Sequence, residues 1–303
     1  MLKVLVTGAN GLLGQKLVSL LGTKKDVEVI ATGKGACRLV AGSHHYLSAD
    51  LTSQADIEDI FARYQPTHII HCAAMTQVDD CEQNPEACHK VNVLATEMLV
   101  QQAKKANAHF LYVSTDFVFD GTAGPYQETD QPNPVNIYGQ SKLKAETMVQ
   151  NSGLSWAIAR TVLVYGVSFD MSRSNIVLWA KKSLEQKKQI KVVTDQWRTP
   201  TLVEDLALGC YQISRENHEG IFHISGEEGM SPFDLVNRVA DHFDFDKSLI
   251  KPVNAATFKE VGKRPPRTGF DISKAKEILD FQPRSFSEGL AIVDEQLNLL
   301  SGG

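Results

Sequence analysis

Tyr138 and Lys142 stand four residues apart in NIYGQSKLKAE (136–146), downstream of a Ser114-Thr115-Asp116 run. On a helix, positions i and i+4 share a face, which sets the phenol beside the ammonium. A neighbouring ammonium favours the phenolate and lowers the phenol's pKa, which suits a general acid or base working near neutral pH. The same two residue types equally serve a wet core edge and a solvated helix face. Context has to decide between these readings.

A second constellation supplies that context. TGANGLLG places Gly8, Gly11 and Gly14 in the order GxxGxxG directly after the apolar run KVLVT, and LLGQKLVSLL follows with helical spacing. Small residues let backbone approach a pyrophosphate, which sits at the positive N-terminus of a helix. With the further strand VEVIAT (27–32), the motif has the surroundings it requires. The turn Gly8, Asn10, Gly11, Leu12, Leu13, Gly14 is therefore expected to bind a dinucleotide. The second strand ends ATGKG, without the carboxylate that would take a ribose 2′-hydroxyl. Lys34, with Arg38 beyond it, could meet a 2′-phosphate instead, so NADPH is expected; NADH stays open.

These residues need elements to hold them. KVLVT, VEVIAT, THIIHCAA (67–74), HFLYVST (109–115) and SWAIART (155–161) alternate with helix-spaced stretches, among them a long one over 84–106. That alternation predicts an α/β fold, a Rossmann-type doubly wound parallel sheet whose strands are apolar because helices cover both faces. After residue 166 the rhythm loosens, predicting a smaller α+β substrate-binding part on the C-terminal side. The expected division is 1–166 plus about 190–220 for the cofactor domain, and about 167–189 plus 221–303 for the smaller one. The closing SGG is expected to be disordered.

Composition excludes several classes. The 303 residues carry a net charge of −5, with no electrostatic footprint for nucleic acid or an anionic membrane. Five cysteines, without any CxxC, predict neither a disulfide framework nor a zinc site, and no HExxH pair occurs, so no metal is expected. No apolar run approaches the roughly 18 residues that span a bilayer. A cytoplasmic, reduced protein is the expectation.

From Gly8 to about Asp271 the chain resembles the extended branch of the short-chain dehydrogenase/reductase superfamily. The resemblance implies that Asp50-Leu51 hold adenine, that Ala73-Ala74 lie under the cofactor ribose, and that Asn92, ending HKVN, lies on the cofactor side. It makes Thr115, Tyr138 and Lys142 the catalytic set. Hydride would pass to a ketone carbon while Tyr138 protonates the developing alkoxide. Lys142 would lower the phenol's pKa and bond the nicotinamide ribose, and Thr115 would position the carbonyl oxygen.

Within that superfamily, STDFVFDGTAGPYQETDQPNPVNIYGQSK is similar to the dTDP-4-dehydrorhamnose reductase family, as are CAAMTQVDDCE (72–82), ARTVLVYG (159–166), DQWRTPT (195–201) and KRPPRTGFD (263–271). The likeness implies a nucleotide-sugar substrate, dTDP-4-dehydro-L-rhamnose, touched by Val78, Asp116 and Phe117. Asp116 could equally cap the turn before FVFDG. Phe117 stands where sister dehydratases carry a glutamate base, which favours plain keto reduction; an epimerase stays open. Two positions depart from the family: Leu163 replaces a tryptophan at the sugar pocket, and Arg198 a glycine. Arg198 could grip a phosphate or carboxylate, or be a surface charge. The β subunit of methionine adenosyltransferase resembles the same family and keeps the glycine loop, the Tyr-x-x-x-Lys and a QxRxPT-like stretch. An NADP-binding regulatory subunit is therefore the alternative reading, and a homodimer is left open.

Overall fold

The computed structural model describes residues 1–170, 174–259 and 261–301. Gly302 and Gly303 of the expected disordered end lie outside the described residues. The strands are β1 (Leu2–Thr7), β2 (Val27–Gly33), β3 (His44–Ser48), β4 (His68–His71), β5 (His109–Thr115) and β6 (Trp156–Thr161), followed by the short β7 (Val164–Tyr165), β8 (Ile190–Val193), β9 (Thr201–Leu202), β10 (Gly220–His223) and β11 (Ile250–Val253). In the first half the helices are α1 (Leu12–Gly22), α2 (Gln54–Tyr64), α3 (Val78–Gln83), α4 (Pro85–His89), α5 (Ala95–Ala106) and α6 (Ile137–Gln150). In the second half they are α7 (Ile176–Glu185), α8 (Val203–Arg215), α9 (Pro232–His242), α10 (Ser273–Leu279) and α11 (Phe286–Ser301).

Seven strands form one sheet in the order β10-β6-β5-β4-β1-β2-β3, with every neighbouring pair parallel. The chain order reverses between β1 and β4, so the carboxyl ends of these strands part into a crevice. Parallel strands need helical crossovers, and the crossovers bury both faces. One face packs on Leu17, Val18 and Leu21 of α1 with Leu206, Ala207 and Cys210 of α8. The other packs on Ile57, Ile60 and Phe61 of α2, Leu99 and Val100 of α5, and Ala145 and Val149 of α6. A further core joins Val177, Ala180 and Leu184 of α7 to Leu235, Val236 and Val239 of α9, beside the β8–β11 pair. Among the described residues, no helix is long and apolar enough to cross a membrane.

The fold class is as expected, but the domain division is not. IKVV (190–193) pairs with β11 in the smaller part, whereas GIFH (220–223) pairs with β6 and extends the main sheet. Ala275, Leu279 and Phe281 also join the main core. A short apolar strand carries no mark of the sheet it will enter; its partner decides. β3 was unforeseen because HHYLS lacks the β-branched residues that signal a strand. The helix expected over 84–106 is interrupted by a π turn, Lys90–Leu94.

Candidate active site

The glycine loop is built by backbone contact. Gly8 has φ +66°, and a Cβ there would lie 2.8 Å from the Ala73 backbone; at Gly14 one would lie 2.3 Å from the Gly8 carbonyl oxygen. The turn after β1 thus passes directly against the end of β4, and α1 directly against the turn. Gly11 caps α1 with no side-chain bond, and the first helical bond runs from Gln15 N–H to the Gly11 carbonyl, 3.0 Å. The N–H groups of Leu12, Leu13 and Gly14 therefore have no intrahelical acceptor and face the crevice. With the helix dipole they form an anion site, and the residues present fit the two phosphates of a dinucleotide. Asn10 fixes this turn to the loop after β2: its amide donates to the Ala36 carbonyl (3.0 Å) and its oxygen accepts the Arg38 N–H (3.0 Å).

In the loop after β2, the Lys34 ammonium donates to Asp50 Oδ2 at 2.9 Å. That bond, with the Thr52 N–H and hydroxyl, holds the Asp50 carboxyl at about 2. Lys34 is largely exposed at the rim, and Arg38 lines the same cavity. We expect Lys34→Ala to weaken NADPH binding by about tenfold, the value of one charge-assisted hydrogen bond, while leaving NADH within about twofold. Equal losses for both nucleotides in a fluorescence titration would remove Lys34 from the 2′-phosphate site.

Tyr138 is brought to Thr115 by close helix–strand contact. Asn136 caps α6 by accepting the Gly139 N–H at 2.7 Å, and its amide donates to the Lys263 carbonyl at 2.8 Å. At Gly139 a Cβ would lie 2.1 Å from the Phe117 carbonyl oxygen, so only glycine lets α6 lie this near the end of β5. The buried Tyr138 phenol and the Thr115 hydroxyl line the same cavity. Lys142 donates to the Val113 carbonyl at 2.8 Å and lies 4.0 Å from the Tyr112 ring centre. The expected lowering of the phenol's pKa is reversed. Burial pushes Tyr138 well above its ordinary value, against the pull of the nearby Thr115 hydroxyl, and burial brings Lys142 down to about 7. Desolvation outweighs the i,i+4 pairing that the spacing predicted. The phenol is held protonated, the state an acid requires.

These groups open on one cavity of about 1180 Å³, above the usual range for a single small-molecule site. Every candidate named from the sequence lines it, with one exception. Asn92 is buried away from the cavity: its oxygen accepts the Met75 N–H (2.7 Å) and its amide donates to the Met75 carbonyl (3.0 Å) and Ser141 Oγ (2.9 Å). It clamps the 73–76 loop to α6 from within the π turn, and the cofactor-contact expectation is corrected accordingly.

Asp116 is not a turn cap; Thr115 takes that role, accepting the Phe117 N–H at 3.2 Å. The Asp116 carboxylate accepts the Thr115 hydroxyl at 3.1 Å and the Thr268 hydroxyl, and faces Arg198 Nε at 3.7 Å. Arg198 is buried, not a surface charge, and donates to the carbonyls of Trp197 (2.7 Å), Pro265 (2.7 Å) and Pro266 (3.2 Å). Leu163 forms part of the wall in a left-handed backbone conformation, φ +39°. Two further residues were missed: Thr268, and Arg264, which lines the cavity and pairs with Asp79 at 2.8 Å. Both lie in KRPPRTGFD, and only the fold carries that segment to β5.

A sheet of this order, a helix-end phosphate cradle and a Thr-Tyr-Lys set define an NAD(P)-dependent oxidoreductase of the extended short-chain type. The chain belongs to the RmlD substrate binding domain family, the dTDP-4-dehydrorhamnose reductases, whose sequence profile matches residues 2–298. Among solved structures it is similar to a dTDP-4-dehydrorhamnose reductase from Clostridium acetobutylicum, with 28% identity, a TM-score of 0.85, and coverage of 98% of this chain and 100% of that one. It is similar also to the Bacillus anthracis dTDP-4-dehydrorhamnose reductase in complex with NADP: 26% identity, TM-score 0.83, coverage 98% and 100%. Among curated proteins it is 32% identical over 295 residues to methionine adenosyltransferase 2 subunit beta of Xenopus tropicalis, covering 95% of this chain and 86% of the relative. A probable low-salt glycan biosynthesis reductase of Haloferax volcanii is 29% identical over 300 residues, covering 95% and 96%.

Proposed function

We propose that the protein reduces the 4-keto group of a nucleotide-linked deoxysugar with NADPH, dTDP-4-dehydro-L-rhamnose being the first substrate to test and dTDP-L-rhamnose its product. The observation that carries this reading is one cavity lined by the glycine loop, Thr115, the buried Tyr138 phenol and Lys142. Phe117 lines that cavity and offers no base for water elimination. When bound, NADPH supplies a hydride. Tyr138 gives its proton to the alkoxide oxygen, and Lys142, on the same helix face, stabilises the phenolate left behind once it is charged. The test is NADPH oxidation, followed by absorbance, with the keto sugar generated in the same vessel, and product analysis to separate reduction from epimerisation.

Lys142 yields a second measurable consequence. At about 7 in the free chain it is roughly half charged at pH 7. Cofactor phosphates favour the ammonium and raise its pKa on binding. The sign follows: affinity is fully present below pH 7 and declines as pH rises through the bound-state value. We expect NADPH binding at pH 7 to take up on the order of half a proton, seen by calorimetry in buffers of different ionisation enthalpy. Lys142→Met should abolish that uptake; identical heats in all buffers would sink the idea.

The alternative is a cofactor-loaded regulatory subunit. It is favoured by the 32% identity to the methionine adenosyltransferase subunit and by Arg198 in place of the reductase glycine. Tight NADPH binding without oxidation of any nucleotide keto sugar, together with a co-purifying enzyme, would establish it.

A further inference from the structure

Beneath the glycine loop runs a chain of buried hydrogen bonds that the chemistry above does not use. Thr7, the last residue of β1, accepts the N–H groups of Cys72 (3.2 Å) and Ala73 (3.3 Å) on its hydroxyl oxygen. The same oxygen lies 2.7 Å from Nδ1 of His71, the last residue of β4. On the other side of the ring, Nε2 lies 3.0 Å from the hydroxyl of Thr96 in α5, which donates to the Asn92 carbonyl of the π turn at 2.8 Å. Thr7, His71, Thr96 and Asn92 are each no more than 1% exposed.

The two ends of the chain fix its direction independently. A hydroxyl offers two acceptor positions and one proton. At Thr7 two N–H groups take both positions, so its proton goes to Nδ1. At Thr96 the proton goes to the Asn92 carbonyl, so Nε2 is the donor there. Both ends demand the same ring, neutral and protonated at Nε2 alone. The other tautomer, or an imidazolium, would press a third donor onto the Thr7 oxygen and leave the Thr7 proton buried without an acceptor. Burial, and after it the Lys142 ammonium on α6, hold the ring at about 3, far below its ordinary value. Its titratable neighbour on β5 is Tyr112, with ring centres 5.6 Å apart, and burial keeps that phenol protonated.

The chain joins the two ends of one turn. Cys72 and Ala73 line the cavity, and the Ala73 backbone is what a Cβ at Gly8 would strike at 2.8 Å. Two residues on, the Asn92 side chain grips Met75 by its N–H and its carbonyl and also donates to Ser141, whose hydroxyl donates to the Tyr138 carbonyl at 2.7 Å. Asn92 therefore holds the turn directly at Met75 and, through Thr96, His71 and Thr7, at Ala73.

We propose that His71 is a positioning residue of the cofactor site: as a single-tautomer link between Thr7 and Thr96 it fixes the 72–75 turn against Gly8, and with it the dinucleotide affinity of the cradle. His71 acts through the turn and is not part of the cavity wall. This role rests on NADPH binding alone, and it is the same in a reductase and in a cofactor-loaded regulatory subunit.

The test uses the full chain, with and without NADPH. In protein labelled with nitrogen-15 on histidine, His71→Gln assigns the His71 signals. They should show a protonated Nε2 and an unprotonated Nδ1, unchanged from about pH 8 to about pH 5. In fluorescence titrations well below each melting temperature, Thr7→Val and His71→Phe should each weaken NADPH binding about tenfold, the scale of one lost buried link. His71→Gln, whose amide can accept from Thr7 and donate to Thr96, should stay within about threefold of wild type. The double variant Thr7→Val/His71→Phe should bind no more weakly than the worse single one. A His71→Phe variant that melts earlier but binds NADPH as wild type makes the histidine merely structural and overturns the proposal. So does an Nδ1-protonated ring in that pH range, or a double variant in which the losses multiply. If His71→Phe does not fold, Thr7→Val decides: normal affinity there overturns it. A wild type that binds no NADPH refutes the cofactor reading itself, a result distinct from unchanged affinity in the variants.

Discussion

Tyr138→Phe is expected to keep NADPH affinity within about twofold and to lower kcat for keto-sugar reduction by 10²–10⁴-fold, the usual contribution of a positioned acid. The ring itself is held by packing that the substitution preserves: Val78, Cys81 and Cys88 around it, and Phe117 edge-on at 6.0 Å between centres. What disappears is the hydroxyl alone, at the cavity that Thr115 also lines. The loss should therefore fall on the chemical step and spare binding. Fluorescence titration of NADPH beside steady-state kinetics separates the two. Undiminished turnover in the variant would rule Tyr138 out as the acid.

The second large effect is on stability. Arg160 of β6 donates to Glu146 of α6 through Nε (3.0 Å) and Nη2 (2.7 Å), and both residues are buried. Removing one partner strands a charge in the interior, at a cost of about 3–5 kcal/mol. Arg160→Met and Glu146→Gln should each depress the melting temperature by on the order of 10 °C. The double variant Glu146→Leu/Arg160→Met should recover much of that loss, because no charge is left unpaired. Since the pair fastens the helix that carries Tyr138 and Lys142, residual activity well below the melting point should fall less than stability does. Melting temperatures equal to wild type in both single variants would contradict this account.

How much of this was legible beforehand varied with the reach of the interaction. Gly8 and Gly14 could be read from spacing because their need is local, a turn and a helix start beside a strand. Thr115, Tyr138 and Lys142 were joined as a set by the resemblance, and the fold brings all three to one cavity. The pKa of Tyr138 was not: spacing exposes a neighbour's charge, whereas burial, which decides the direction here, belongs to the packed whole. Arg198 stood undecided between grip and surface charge because its acceptors at Pro265 and Pro266 lie nearly 70 residues away in sequence. Asn92 matched a motif, but its partners Met75 and Ser141 come from two other elements. The exchange of β8 and β10 between sheets has the same origin, pairings with β11 and β6 that no single stretch encodes.

The point where the strand order reverses also divides labour along the chain. The glycine loop, Lys34, Asp50, Thr115, Tyr138 and Lys142 all come from residues up to Lys142, whereas Leu163, Arg198, Pro232 and Arg264 join the cavity lining from four later stretches. Replacements in these later stretches can therefore reshape part of the cavity, beside Val78, Asp116 and Phe117 of the first half, without touching the glycine loop. The two departures from the reductase pattern, Leu163 and Arg198, both fall in the later stretches. A swap of these later stretches between relatives would change that part of the lining alone, and leave the turn that Gly8 and Gly14 build in place.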